Sequence, residues 1–94
     1  MESYKIRIEK TLSGEVNPLG RRRVKIFIDT ELPFVPIIGM KWEDIDLGID
    51  IPVTGLTWEG ENRRFLIRHT SSSLEEDEVN EKLKTALEKG WKEL

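Results

Sequence analysis

Three groups of residues in this chain have the right types to do chemistry. His69, the single histidine, is followed by Thr70, Ser71, Ser72 and Ser73, so an imidazole base and a hydroxyl stand close in sequence. Nucleophilic catalysis needs nucleophile, base and orienting group to converge, whereas successive residues of an extended segment point to opposite faces. The run therefore reads as a surface or cross-strand histidine leading into a loop and a helix cap.

Asp44, Asp46, Gly48 and Asp50 superficially resemble a calcium loop, which wraps a cation with oxygen ligands at alternate positions. Counting Asp44 as the first position, Gly48 and Ile49 occupy the fifth and sixth, where an acidic or amide ligand and a glycine belong, and Gly55 occupies the twelfth in place of glutamate. A solvated acidic loop is expected, with no metal. The same carboxylates could flank a glycosidic bond, but nothing in their spacing sets the separation that such chemistry needs.

The third group is basic. Lys5, Arg7, Arg21, Arg23 and Lys25 fall on one face of a proposed hairpin together with Phe27. Cations beside an aromatic ring can hold single-stranded nucleic acid, by charge attraction to the backbone and stacking on the base. Glu9, Asp29 and Glu31 are interleaved on the same face, and cross-strand ion pairing accounts for that pattern without a ligand. Trp42, set among charges, is the tryptophan expected to be exposed and available to a partner, since aromatic side chains dominate interface energetics.

Other chemistries lack their residues. With no cysteine there is no disulfide scaffold, thiolate zinc site or cysteine nucleophile. The glycines are isolated and none opens a helix, so no phosphate-cradling loop is read. No cofactor and no catalytic site is expected.

These residues must be positioned by elements legible in the hydropathy pattern. Residues 4–12 (YKIRIEKTL) put Tyr4, Ile6 and Ile8 on one face and Lys5, Arg7 and Glu9 on the other, the alternation of a half-buried strand. Residues 13–20 (SGEVNPLG) read as a long hairpin loop. Residues 22–30 alternate again through Val24, Ile26 and Ile28, and the two strands are expected to pair antiparallel. Residues 32–39 (LPFVPIIG) carry two prolines among large apolar side chains, which predicts an irregular but buried segment. Residues 40–50 suit either a short strand or a single helical turn. Residues 51–58 read as a strand broken near Gly55, joined through 59–62 (EGEN) to a strand over 63–70. Placing Trp58 opposite Arg63 sets Leu56 across from Phe65. Ser73 and Glu76 form a capping box for a helix beginning near Leu74, with Val79, Leu83, Ala86, Leu87, Trp91 and Leu94 as its apolar stripe and Gly90 near its end.

The 94 residues suit one domain, residues 1–94. No apolar run approaches the ~18 residues of a spanning helix, and the charged N-terminus lacks a signal-peptide core, so a cytoplasmic location with no membrane partner is expected. The net charge of −3 hides segments: residues 43–62 hold six acidic and no basic residues, while 63–70 add three arginines. A duplex-binding domain normally carries a basic excess. Alternating charge suits a self-associating or partner-binding surface, and equally plain solubility.

The segment LPFVPIIG, placed after a strand and before an acidic stretch, resembles an LPFVP-x-x-G motif of short, uncharacterised β-rich bacterial proteins. There an acidic residue follows the glycine; here Met40 does. The resemblance spans eight residues and implies a small curled sheet with this segment at a corner, and no activity. The reading is thus an α+β domain: a curled antiparallel sheet of four or five strands, a partly open small barrel, with a C-terminal amphipathic helix. The expected function is a non-catalytic interaction or assembly module, self-associating or binding a protein partner, with single-strand nucleic-acid binding as the alternative.

Overall fold

The structure, a computed structural model, describes residues 2–16 and 20–94. Asn17, Pro18 and Leu19, part of the expected first loop, lie outside the described residues. Two long strands, β1 (Tyr4–Val16) and β2 (Gly20–Leu32), pair antiparallel from Tyr4 opposite Leu32 to Val16 opposite Gly20. The ladder thus takes in residues 13–16 and 20 of the segment expected to be loop. At ~3.3 Å per residue a 13-residue strand reaches about 43 Å, which explains a molecule 50 Å long and 24 Å wide.

The chain continues through a small hairpin, β3 (Lys41–Asp44) with β4 (Ile49–Pro52), then β5 (Gly55–Glu59) and β6 (Arg64–Leu74), followed by α1 (Glu76–Glu88) and a two-residue β7 (Lys92–Glu93). Residues 40–50 are therefore neither one strand nor a helical turn, but two strands folded back on each other. The main sheet has the order β5-β6-β1-β2-β7, and β3-β4 form a second sheet. The main sheet does not close into a barrel, and it is mixed, because β6 runs parallel to β1, with Ile8 beside Ile67. The reason lies in β6 itself. Leu66 and Ile67 point to opposite faces yet are 4% and 0% exposed, the two-sided burial typical of a strand with a parallel partner, and β6 lies inside the sheet between β5 and β1. β5, with Trp58 half exposed, suits the edge.

The β5–β6 register also differs from the sequence reading: Trp58 faces Phe65 and Leu56 faces Ile67. Arg63 adopts a positive φ of 50° within the turn between them, so the four-residue connection is 60–63 in place of the expected 59–62, and the pairing shifts with it.

One inward face holds the core. Ile6, Ile8 and Leu12 of β1 meet Ile26 and Ile28 of β2, Ile67 of β6, Val79 of α1 and Trp91. The β3–β4 hairpin covers the rest of that face with Trp42, Ile49 and Ile51, joined by Val53 just beyond it. Trp42 is 7% exposed, which corrects the expectation of an exposed tryptophan: its strand alternates, and it takes the inward position between exposed Lys41 and Glu43.

The helix starts later than the Ser73 capping box would put it. β6 runs through Ser73 to Leu74, and Glu75 caps the helix in a reciprocal box with Glu78. Its end follows the expectation at Gly90, whose φ of 99° is the left-handed turn of a Schellman close, with the Trp91 N–H donating to the Ala86 carbonyl at 3.1 Å. The helical stripe is only partly used. Val79 is buried and Leu83 and Ala86 are partly so, whereas Leu87 is 45% exposed; Trp91 and Leu94, expected on this stripe, lie beyond the helix end at Glu88, the first buried and the second 61% exposed.

The first turn of the helix packs against β1 at Gly14. A Cβ there would lie 2.8 Å from Val79 Cγ2 and 2.9 Å from the Leu74 carbonyl oxygen. One of those atoms belongs to a stiff β-branched side chain and the other to backbone, so neither yields cheaply. Gly14→Ala is expected to destabilise the fold by about 1–3 kcal/mol, measured by urea unfolding followed by circular dichroism. A stability unchanged by the added methyl would contradict this packing.

Candidate functional site

The basic face proposed from sequence lies on the outward side of the main sheet, which among the described residues no helix or second sheet covers. Arg7 donates from Nε and Nη2 to the two carboxylate oxygens of Asp29, at 2.8 and 2.9 Å. Its guanidinium also stacks over the Phe27 ring at 4.2 Å. Arg64 donates to Glu59 at 2.6 Å and stands 3.8 Å from Asp29, while Arg68 lies 3.6 Å from Glu9. Leu66 is flanked on this face by Arg7 across the ladder and by Arg64 and Arg68 along its own strand. With no element above it, its burial comes from such side chains, whose aliphatic stems cover apolar surface while their heads remain wet.

Much of the cationic character is thereby spent internally. Phe27 is half-buried, and Arg7 occupies one face of its ring. Arg23 and Lys25 are exposed and, among the described residues, have no carboxylate within 4 Å. The Arg21 backbone pairs with Glu15, and its side chain lies outside the described part. Trp42 is in the core, on the other side of the sheet. The site residues named from sequence therefore do not converge: Arg23, Lys25 and Phe27 share a face, and Trp42 leaves the set.

The acidic segment is equally occupied. Asp44 Oδ1 accepts from the Leu47 N–H, three residues on, at 3.1 Å and so holds the β3–β4 turn. Lys41 lies 2.9 Å from Glu43 and 3.5 Å from Asp50, bridging cross-strand neighbours that would repel. Among the described residues no three acidic or histidine side chains gather in a way that could hold a metal ion. His69 lies beside Lys10 across the parallel ladder, and its pKa is lowered by burial and then by that lysine.

Of the segment 32–39, expected to be buried, Leu32 is buried, and what sequence reasoning missed is the part beyond it. Phe34, Val35, Ile37 and Ile38 are 48%, 43%, 67% and 62% exposed, and only Pro36 among them is fully buried. The physical reason is the turn that follows. The Met40 N–H donates to the Ile37 carbonyl at 3.2 Å and Gly39 takes a φ of 98°, which throws Ile37 and Ile38 outward. The turn is held firmly, because the Gly39 N–H donates to the Val53 carbonyl and the Val53 N–H to the Met40 carbonyl, each at 2.8 Å. Two prolines in a run with no alternation were the available signal: such a segment cannot join a ladder that would bury it. The loop leaves the sheet at Leu32, opposite Tyr4, at the end where Tyr4, Phe65 and Trp58 form an edge-to-face row with centroids 6.3 and 4.9 Å apart. Trp58 is 55% exposed at the end of that row.

Among the described residues no helix is long and apolar enough to cross a membrane.

The Arg7–Asp29 pair makes a testable electrostatic claim. The hydrogen bond from Arg7, followed by its charge, holds the Asp29 carboxyl below the usual carboxylate range. A lowered folded pKa gives stability that is present above the unfolded value of about 3.9 and lost as pH falls through the folded one. Because Asp29 is half exposed, solvent screening limits the effect to less than about 1 kcal/mol. Asp29→Asn is expected to lower the unfolding midpoint slightly at neutral pH and to flatten its decline below about pH 4; an identical acid limb in both proteins would contradict the pairing. Compared with known proteins, the chain matches no family model, no curated protein and no solved structure.

Proposed function

We propose that this chain is a non-catalytic interaction or assembly module that buries the turn at Phe34, Val35, Ile37 and Ile38 against protein, a second copy of itself being the first occupant and a partner subunit the other. The observation that carries this reading is the exposure of four large apolar side chains on a turn fixed by three backbone hydrogen bonds. Scattered exposed hydrophobes need no explanation, whereas a contiguous group of them marks an interaction site. Rigidity matters too, because a pre-organised turn loses little freedom on binding.

Magnitudes bound the complex. Fully burying each such side chain contributes about 1.5–3 kcal/mol, against an association cost of about 4–15 kcal/mol. The turn alone supports a weak complex, and a stable one draws in the neighbouring Trp58 end of the sheet. The bridged carboxylates of the acidic hairpin and the largely paired outward face support the non-catalytic part of the reading. Single-strand nucleic-acid binding has less support, since Arg7, Arg64 and Arg68 face carboxylates and Arg7 occupies one face of the Phe27 ring, which leaves Arg23 and Lys25 as the exposed cations of that reading.

The test is the solution mass of the chain and of a variant carrying Ile37→Asp and Ile38→Asp. Both sites are exposed, so folding is expected to survive. Light scattering over a wide concentration range should show a mass that rises for the unmodified chain and stays monomeric for the variant. A strictly monomeric unmodified chain, with no partner that the variant fails to retain, would overturn the proposal.

A further inference from the structure

Between α1 and the inward face of the sheet lies a cleft of about 440 Å³, within the ~300–1,000 Å³ of ordinary small-molecule sites. Its apolar walls are Leu12, Ile26, Ala86 and Trp91, and the Trp91 ring is fixed there by donating from Nε1 to the Leu47 carbonyl at 2.7 Å. Two cations enter it: Lys10, at an inward position between Ile8 and Leu12 on β1, and Lys82 from the helix. Among the described residues neither has a carboxylate within 4 Å. Of the two acids at the cleft, Glu78 is engaged by the Glu75 N–H in the capping box, and Glu81 is exposed.

An ammonium on the core face of a strand is unusual, because burial penalises the charge unless it is paired. Burial, and then repulsion from Lys82, lower the Lys10 pKa, opposed only by the charge of Asp50, which is too far away to pair with it. An anion placed between the two would relieve both penalties at once.

We infer that this cleft binds a small amphipathic organic anion, its carboxylate held between the ammonium groups of Lys10 and Lys82 and its apolar body laid on Leu12, Ile26 and Trp91. The site is separate from the apolar turn and stands whether or not the chain self-associates. A phenyl or short alkyl body matches the mixed lining better than a bare inorganic ion, for which the apolar walls would serve no purpose.

The experiment titrates the full chain with phenylbutyrate and with its neutral amide, following backbone amide shifts by nuclear magnetic resonance. Phenylbutyrate should give saturable shifts at Lys10, Ala86 and Trp91, and the amide should bind about tenfold more weakly, as loss of a charge-assisted contact implies. Lys10→Met and Lys82→Gln should each weaken the acid by a similar factor and leave the amide unchanged. Should Lys10→Met disturb the fold, Lys82→Gln on the exposed helix surface and the acid–amide comparison on the unmodified chain decide by themselves. Absence of saturable shifts at the cleft, equal binding of acid and amide, or indifference to Lys82→Gln would overturn the proposal.

Discussion

The structure depends on the burial of one row of side chains on one strand. Ile6, Ile8 and Leu12 of β1 are 1%, 0% and 0% exposed, and each contributes about 1.5–3 kcal/mol relative to exposure. Such complete burial requires cover above and neighbours on both sides. β2 supplies one neighbour through a simple hairpin. The other is β6, which approaches in parallel after the chain has gone through β3, β4 and β5. That long return makes the sheet mixed and leaves β5 and the two-residue β7 as its edges.

The cover is short for the sheet it must protect. A 13-residue helix spans ~20 Å, whereas the strands beneath it reach about 43 Å. The β3–β4 hairpin therefore completes the cover, and the two are fastened where Lys89 Nζ donates to the Ile45 carbonyl at 2.9 Å and the Trp91 indole to Leu47. The cleft lies beside this fastening, lined by Gly48 of the hairpin turn as well as by the helix. The apolar turn at 33–39 arises from the same geometry: chain that must travel from β2 to the covering hairpin passes around the end of the sheet, where nothing lies above it.

What was legible in the sequence was local. Period-two alternation in β1 and β2 identified the inward rows, Ser and Glu residues before the helix announced a cap, and Gly90 marked its end. Boundaries shifted by a residue or two where an equivalent cap, Glu75 with Glu78, competed with Ser73. Long-range relations were not legible. Nothing local in Arg64–Leu74 says that its neighbour is β1, or that the pair is parallel; the adjacent burial of Leu66 and Ile67 shows the need only once both are placed. Trp42 was misjudged because charged neighbours in a four-residue strand simply occupy the alternate, solvent face. Lys10 could have been noticed, since it stands in phase with Ile6, Ile8 and Leu12. The exposure of Ile37 and Ile38 depends on the positive φ of Gly39 and on its bond to Val53, fourteen residues away in sequence.

The central claim is that β1 is the interior strand, hydrogen-bonded on both sides and sealed on its inward face. Residue-resolved amide hydrogen exchange tests it most directly. Amides of β1 from Ile6 to Leu12 should exchange at the slowest rates in the molecule, on both inward and outward positions, with β5 far faster. Exchange in which alternate β1 amides open as quickly as those of β5 would mean that β6 does not pair there, and would contradict the account.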